Sequence, residues 1–557
     1  MNLATFLDHW KLTENPFRAE EARQDPVFLR LEDASAAADA ERSRSDSDGA
    51  QDSGSSAAQA HANHAPHLSP TTHSEFEKIA GDFDHPSTAI IFGEKGSGKT
   101  AIRMQLADRI AFFNKGKTRD RCFLITYDDL NPILGRFVER IGNERKVPLT
   151  ETLGKFRLVD HIDAVLASVV PGIVDRVLGQ RADEPGRPDL GEDPRRVARK
   201  LDKSLRTDLL LLQAVYDRPV GAGAGGGAER RTRRLRRVLR LRLSIWYLFW
   251  TVLAFSGWIG PAALAYYAYT RGMLTLDPTQ LTHIDSVVWV IAGLLALYLL
   301  ILIKRSVWDR VKFITLGHRV RKQLRTSTRS DASFGRSLRQ LDRALVDPGA
   351  VPMSSSDEVR YAMLDRLRRV LNAFGYASAV IIIDRVDEPT LISGDPDRMR
   401  AVIWPLLNNK FLQQPWLGVK MLLPMELRHA LFRESAAFFQ EARLDKQNLI
   451  ERLSWTGQML YDLCNARLQA CRVPEKQPLA LLDMFAEDVT RQDLIEALDQ
   501  MHQPRDAFKL IYQCFTEHCS SQTSDQPAFR VPRLILDLVR KAQVERVRQL
   551  YRGVRPA

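Results

Sequence analysis

Ser87-Thr88-Ala89-Ile90-Ile91-Phe92, followed by Gly93-Glu94-Lys95-Gly96-Ser97-Gly98-Lys99-Thr100, decides the fold. The first six residues read as a short apolar strand. Gly93 to Thr100 fits G-x-x-x-x-G-K-[ST] at every position, and Lys99 to Phe113 continues at helical spacing through Ile102, Leu106 and Ile110. Strand, glycine loop and helix in that order make a phosphate cradle. Backbone N–H groups wrap phosphate oxygens at a helix N-terminus, Lys99 brings a point charge, and the Thr100 hydroxyl can ligate Mg²⁺. The binding residues read from this stretch are Gly93, Glu94, Lys95, Gly96, Ser97, Gly98, Lys99, Thr100 and Ala101.

Such a cradle needs a carboxylate at the end of a neighbouring strand to hold the metal. Ala379-Val380-Ile381-Ile382-Ile383 is apolar enough to be covered on both faces, as in a parallel sheet, and Asp384 follows it. The metal ligands are therefore read as Thr100 and Asp384. Further strands are expected at 122–127, ahead of Asp128-Asp129, and at Val419–Leu423. For activating water, Asp387 and Glu388 are the candidate bases, Glu388 preferred for its longer reach, with Lys99 completing the catalytic set. Arg385 stands where a second acid is usual, and no polar residue suited to sensing a phosphate is obvious after Val419–Leu423. Arg452 reads as a surface residue, whereas Arg505, in Gln503-Pro504-Arg505-Asp506 at a helix start, is placed to aim at a phosphate.

The chain of 557 residues exceeds what one core supports, and 45% hydrophobic with 27% charged residues excludes both a polytopic transporter and a wholly disordered chain. Its net charge of +12 is concentrated. Residues 230–242 hold +8 and residues 304–325 hold +7, so the remainder is slightly acidic. That distribution argues against a nucleic-acid partner; anionic lipids meeting Arg230 to Arg242 fit better, because this run has no interleaved aromatics and leads into an apolar stretch. The five scattered cysteines give no disulfide framework, and the Met1 end has no secretory pattern. His61, His64, His67 and His73 read as linker composition, and Cys514, His518 and Cys519 lack a second ligand pair for zinc.

Residues 244–270 and 286–303 contain no Asp, Glu, Lys, Arg or His. At about 1.5 Å per residue the second stretch covers about 27 Å, and the first, with Pro261 as a kink, is longer. The basic flanks lie outside them and the weakly charged loop 271–285 between them, so both flanks are expected in the cytoplasm and the pair forms a hairpin. The expected division is an N-terminal docking segment 1–33, a disordered linker 34–74, a first core part 75–229 closing with a flexible Gly221–Gly227 joint, basic flanks and hairpin 230–312, a second core part 313–430, and a helical lid 431–557. The fold class is α/β: a parallel-sheet P-loop core interrupted by a two-helix transmembrane hairpin and followed by a helical C-terminal domain.

A Walker A loop at Gly93–Thr100, a Walker B strand at Ile381–Asp384 about 280 residues later, and a membrane hairpin between them resemble the KAP family of P-loop NTPases, within the STAND and AAA-like signalling ATPases. The resemblance covers about 75–557, by motif order. It implies an ATP- and Mg²⁺-dependent hydrolase acting as a switch at the cytoplasmic face of a bacterial-type inner membrane, both termini inside. Pro504-Arg505 looks like the Pro-Arg pair often borne by the helical region of such proteins, and Leu12–Phe17 looks like the start of some bacterial AAA-type ATPases. The partner is expected to be a second copy or another protein, and some relatives are linked to phage exclusion. The alternatives are a nucleotide-binding scaffold without turnover and a transport or secretion motor.

Overall fold

The computed structural model describes residues 1–18, 22–33, 71–142, 148–180, 188–217, 227–241, 245–271, 286–342, 349–473, 477–522 and 528–551. The linker 34–70, the joint 221–226 and the loop 272–285, on which the topology expectation rested, lie outside the described residues. The chain divides into two compact units: Met1–Leu130 with Ser378–Ala557, and Asn131–Ala377.

The first unit contains a five-stranded sheet. β1 (Ala89–Gly93), β2 (Arg121–Tyr127), β3 (Tyr376–Ile383), β4 (Leu417–Pro424) and β5 (Asn448–Ile450) lie in the order β2-β3-β4-β1-β5, and the β3–β4, β4–β1 and β1–β5 pairs are parallel. β5 falls within a region that reads as wholly helical; three residues are too few to show a period of two. Every residue of β1 and β4 is buried, which only cover on both faces permits. Ile102, Leu106 and Ile110 of the helix Lys99–Asn114 pack on one face with Ile91, Val380, Ile382 and Leu422. The helix Met425–Leu431 packs against β1 and β4.

Helices Gly457–Ala470, Arg491–Asp499, Pro504–Ser521 and Arg533–Tyr551 form a second core in this unit. From the N-terminal segment, Phe6, Leu7, Leu12, Phe17 and Val27 are buried among these helices. Arg467 fixes it by donating to the Pro16 carbonyl at 2.6 Å and pairing with Asp25 at 2.7 Å. His73 belongs to this ordered structure and not to the linker, since it is buried, with Nε2 2.9 Å from the Ser454 carbonyl.

The second unit is helical in its described part up to the start of β3, and it is wider than the sequence boundaries 230–312. Residues assigned by sequence to the core, from 131 to 229 and from 313 to 377, belong to it instead. The reason is a separate interior. The helices Leu158–Leu178, Lys203–Tyr216 and Asp357–Ala373 are tied by buried ion pairs, Asp163 to Arg360 at 3.3 Å and Asp208 to Arg366 at 2.5 Å.

The apolar stretch 244–270 is not one helix but two, Ile245–Ser256 and Ile259–Thr270. Pro261 explains the break, because it lacks the N–H that would bond the Gly257 carbonyl and its ring crowds that oxygen. The helix Ser286–Ile303 packs against both halves, with the Tyr298 hydroxyl 3.3 Å from the Ala254 carbonyl. Among the described residues no helix is long and apolar enough to cross a membrane.

Candidate functional site

The glycine loop leaves β1 at Gly93 and enters its helix at Lys99. Gly96 and Gly98 have φ of 99° and 95°, a region closed to most side chains, so the pattern's glycines are required by the backbone. A Cβ at Gly96 would also lie 2.8 Å from the Cβ of Arg505. Ser97 Oγ is buried without a hydrogen-bond partner inside the loop. Lys95 is exposed, and Ala101 lies in the first turn of the helix.

Lys99 Nζ donates to the carbonyls of Gly93 at 2.7 Å and Glu94 at 2.9 Å. Burial pushes its ammonium below the ordinary lysine range, and four carboxylates oppose this: Asp387 most strongly, then Asp384, Glu426 and Glu94. β4 lies between β1 and β3, with Gly93 level with Pro424 and Ile383 level with Met421. Asp384 thus emerges one strand away from the loop, and Thr100 Oγ1 is 3.5 Å from its Oδ2. Asp384 is 1% exposed. Burial raises its carboxyl above the usual carboxylate range, opposed by Arg103, by the Arg385 backbone N–H at 2.9 Å and by Lys99.

The structure divides the two candidate bases. Glu388 is exposed, and its Oε2 lies 3.4 Å from Arg385 Nη1. Its carboxyl is raised by partial burial, which Arg385 opposes. Asp387 is the carboxylate that most strongly opposes the effect of burial on Lys99. Arg385, between Asp384 and these two acids, has a left-handed backbone, φ 60°.

The helical region after β4 seats residues on the loop. Arg505 lies over Gly96, Trp455 Nε1 donates to the Ser97 carbonyl at 2.9 Å, and Arg452 pairs with Glu94 at 3.0 Å. Arg452 is therefore part of the loop's surroundings. Trp455 carries no motif and could not be found by pattern. Glu426 stands after β4, where a polar residue was sought; Pro424-Met425 before it obscured the reading. Arg103 and Asp128 complete the charged surround, the former 3.6 Å from Asp384.

A hydroxyl and a carboxylate side by side form the donor set of a hard divalent cation. Left-handed glycines, an unpartnered buried hydroxyl and a half-buried lysine at a helix N-terminus suit a polyphosphate. Compared with family models, curated proteins and solved structures, the chain matches none.

Proposed function

We propose that the chain is a membrane-anchored ATP switch of the KAP type that binds ATP with Mg²⁺ and hydrolyses it slowly. One observation carries the reading: Thr100 and Asp384, on opposite sides of a helical insertion in sequence, stand 3.5 Å apart beside Lys99. In this reading Lys99 and the loop N–H groups hold the phosphates, Thr100 and Asp384 hold the cation, and Arg505 reaches the phosphates from the lid. Bound Mg²⁺ would supply charge neutralisation at the phosphoanhydride. Asp387 orients water and accepts its proton. Because Trp455 and Arg505 rest on the loop itself, a change in the loop's occupancy biases the seat of the helical region, which is how binding reaches a partner or a second copy.

Membrane anchoring is supported by the surfaces of the hairpin helices. Phe255 is 82% exposed, Tyr266 72% and Leu300 64%, a cost in water that lipid removes. The helix Gly227–Val238 presents Arg230, Arg233, Arg234 and Arg237 on one exposed face, suited to anionic headgroups. Arg231 is not part of that face, because it is buried between Asp175 at 2.6 Å and Asp217 at 2.8 Å.

ATP affinity of the detergent-solubilised chain, with Mg²⁺ and with EDTA, tests the nucleotide reading. Wild type binds more tightly with Mg²⁺, Asp384→Asn loses that advantage, and equal affinities for the two proteins sink the assignment. Arg385 beside Glu388 favours a second reading, a nucleotide-binding scaffold that does not turn over. Phosphate release separates the two: the switch requires Asp387→Asn to fall below wild type, and equal background rates establish the scaffold.

A further inference from the structure

The charges around Asp384 continue past the cradle. Arg103, buried one turn beyond Thr100 on the helix Lys99–Asn114, stands between two strand-end carboxylates. Its Nε is 3.6 Å from Asp384 Oδ2, and its Nη1 donates to Asp128 Oδ2. Asp128 follows β2 as Asp384 follows β3, and these strands are neighbours. The same Asp128 oxygen accepts from Arg23 Nη2 at 2.5 Å. Arg23 lies in the N-terminal segment, between the anchors Phe17 and Val27, and its charge also reaches Glu388.

We propose that Arg103 is a positioning residue holding Asp384 and Asp128 at a fixed spacing, and that the chain Arg23–Asp128–Arg103–Asp384 couples docking of the N-terminal segment to divalent-cation binding. The proposal rests on reading Asp384 as the cation-holding carboxylate. A planar guanidinium can serve two carboxylates at once from a fixed fork, which a lysine ammonium on a flexible stem does not reproduce. When Arg23 is lost, Asp128 draws Arg103 toward itself and loosens its hold on Asp384. The direct field of Arg23 is a smaller effect, because that side chain is 36% exposed and screened. Coupling of this kind is reciprocal, so cation binding also alters the docking of the segment.

The test uses the full chain in detergent and reads the Mg²⁺ concentration that half-saturates the gain in ATP affinity, with ATP affinity in EDTA as the folding control. Arg103→Lys, which keeps the charge, raises that concentration about tenfold, as expected for a group behind a metal ligand. Arg23→Gln raises it about threefold, the scale of a partly exposed ion pair. Arg30→Gln, in the same segment but paired with Glu14, leaves it unchanged. Hydrogen exchange supplies a second readout: ATP with Mg²⁺ changes protection of residues 22–33 in wild type but not in Asp128→Asn. If Arg103→Lys loses affinity in EDTA it has misfolded, and the Arg23 and Arg30 pair decides. A Mg²⁺-dependent wild type whose Arg23→Gln variant has the same Mg²⁺ requirement, with no exchange change in residues 22–33, overturns the coupling alone. A wild type indifferent to Mg²⁺ overturns the reading of Asp384 and the coupling with it.

Discussion

The sheet and the helical unit bury charge in opposite ways. Within the sheet, β1 is apolar and β4 carries one buried cation, Lys420, whose Nζ donates to the Ser87 carbonyl at 2.7 Å; the buried pair Arg467–Asp25 of the same unit belongs to its second, helical core. In the helical unit, arginines and aspartates stitch the interior: Arg360 to Asp163 at 3.3 Å, Arg325 to Asp160 at 2.5 Å, and Arg231 to Asp175 and Asp217 at 2.6 and 2.8 Å. An apolar core loses stability in proportion to the atoms removed. A core stitched by ion pairs fails when one partner goes, because the other remains buried without compensation.

The largest expected effect follows from that contrast. Arg360 and Asp163 are 0% and 1% exposed, and Asp163 also accepts from the Tyr216 hydroxyl at 2.8 Å. Arg360→Met should destabilise the helical unit by about 3–5 kcal/mol at pH 7, read by hydrogen exchange in the helices Leu158–Leu178 and Asp357–Ala373. The double variant Arg360→Met with Asp163→Leu should cost less than the single one. Burial already raises the Asp163 carboxyl to about 6 with Arg360 beside it, and without Arg360 it rises further. Its neutral form then carries no penalty, so the cost of Arg360→Met should shrink as pH falls from 7 toward 4. A cost independent of pH, or a double variant worse than the single, would mean that packing and not charge holds this interior.

In the sheet unit the matching single-charge deletion should act on binding instead. Lys99→Ala removes a cation whose bonds are to loop carbonyls. ATP affinity should fall by about a hundredfold, the scale of a lost charge-assisted contact to phosphate, while exchange protection in both units stays within error of wild type. Loss of protection across β1 and β4 would show that the lysine serves the fold.

The same contrast explains what the sequence made legible. The glycine loop has a spacing that its own backbone requires, Gly96 and Gly98 being left-handed, so the conformation of Gly93–Thr100 could be read outright. Asp384 was found because β3 is apolar without interruption. Arg505 was found because Pro504 marks a helix start. The helical unit has no such constraint. Its buried arginines look like surface arginines in a sequence of 80 lysines and arginines, and only the fold reveals that Asp163 faces Arg360 across 197 positions. Arg231 was lost in the same way inside a basic run. Trp455 escaped because the loop takes it from a segment that follows no motif.

The smallest expected effect probes the buried cation of strand β4. Burial lowers the Lys420 ammonium from 10.5 to about 8, opposed only in part by the Cys122 side chain. The unfolded chain therefore binds more protons than the folded one between pH 8 and 10.5, so this lysine makes stability rise with pH in that window. The five buried cysteines act in the opposite sense from about pH 8 upward, because burial raises all of them, Cys122 and Cys471 to about 11, and the folded state then holds the extra protons. Over pH 8 to 9 Lys420 alone adds about 1 kcal/mol to the exchange protection of β1 and β4, read as the difference in slope between wild type and Lys420→Met, because the cysteines titrate in both chains. The variant's absolute stability is a poorer measure, since the Ser87 carbonyl loses a donor at the same time as the charge disappears. A variant that keeps the wild-type slope would place the titrating group elsewhere and would make the sheet unit's interior less different from the helical one than the distances imply.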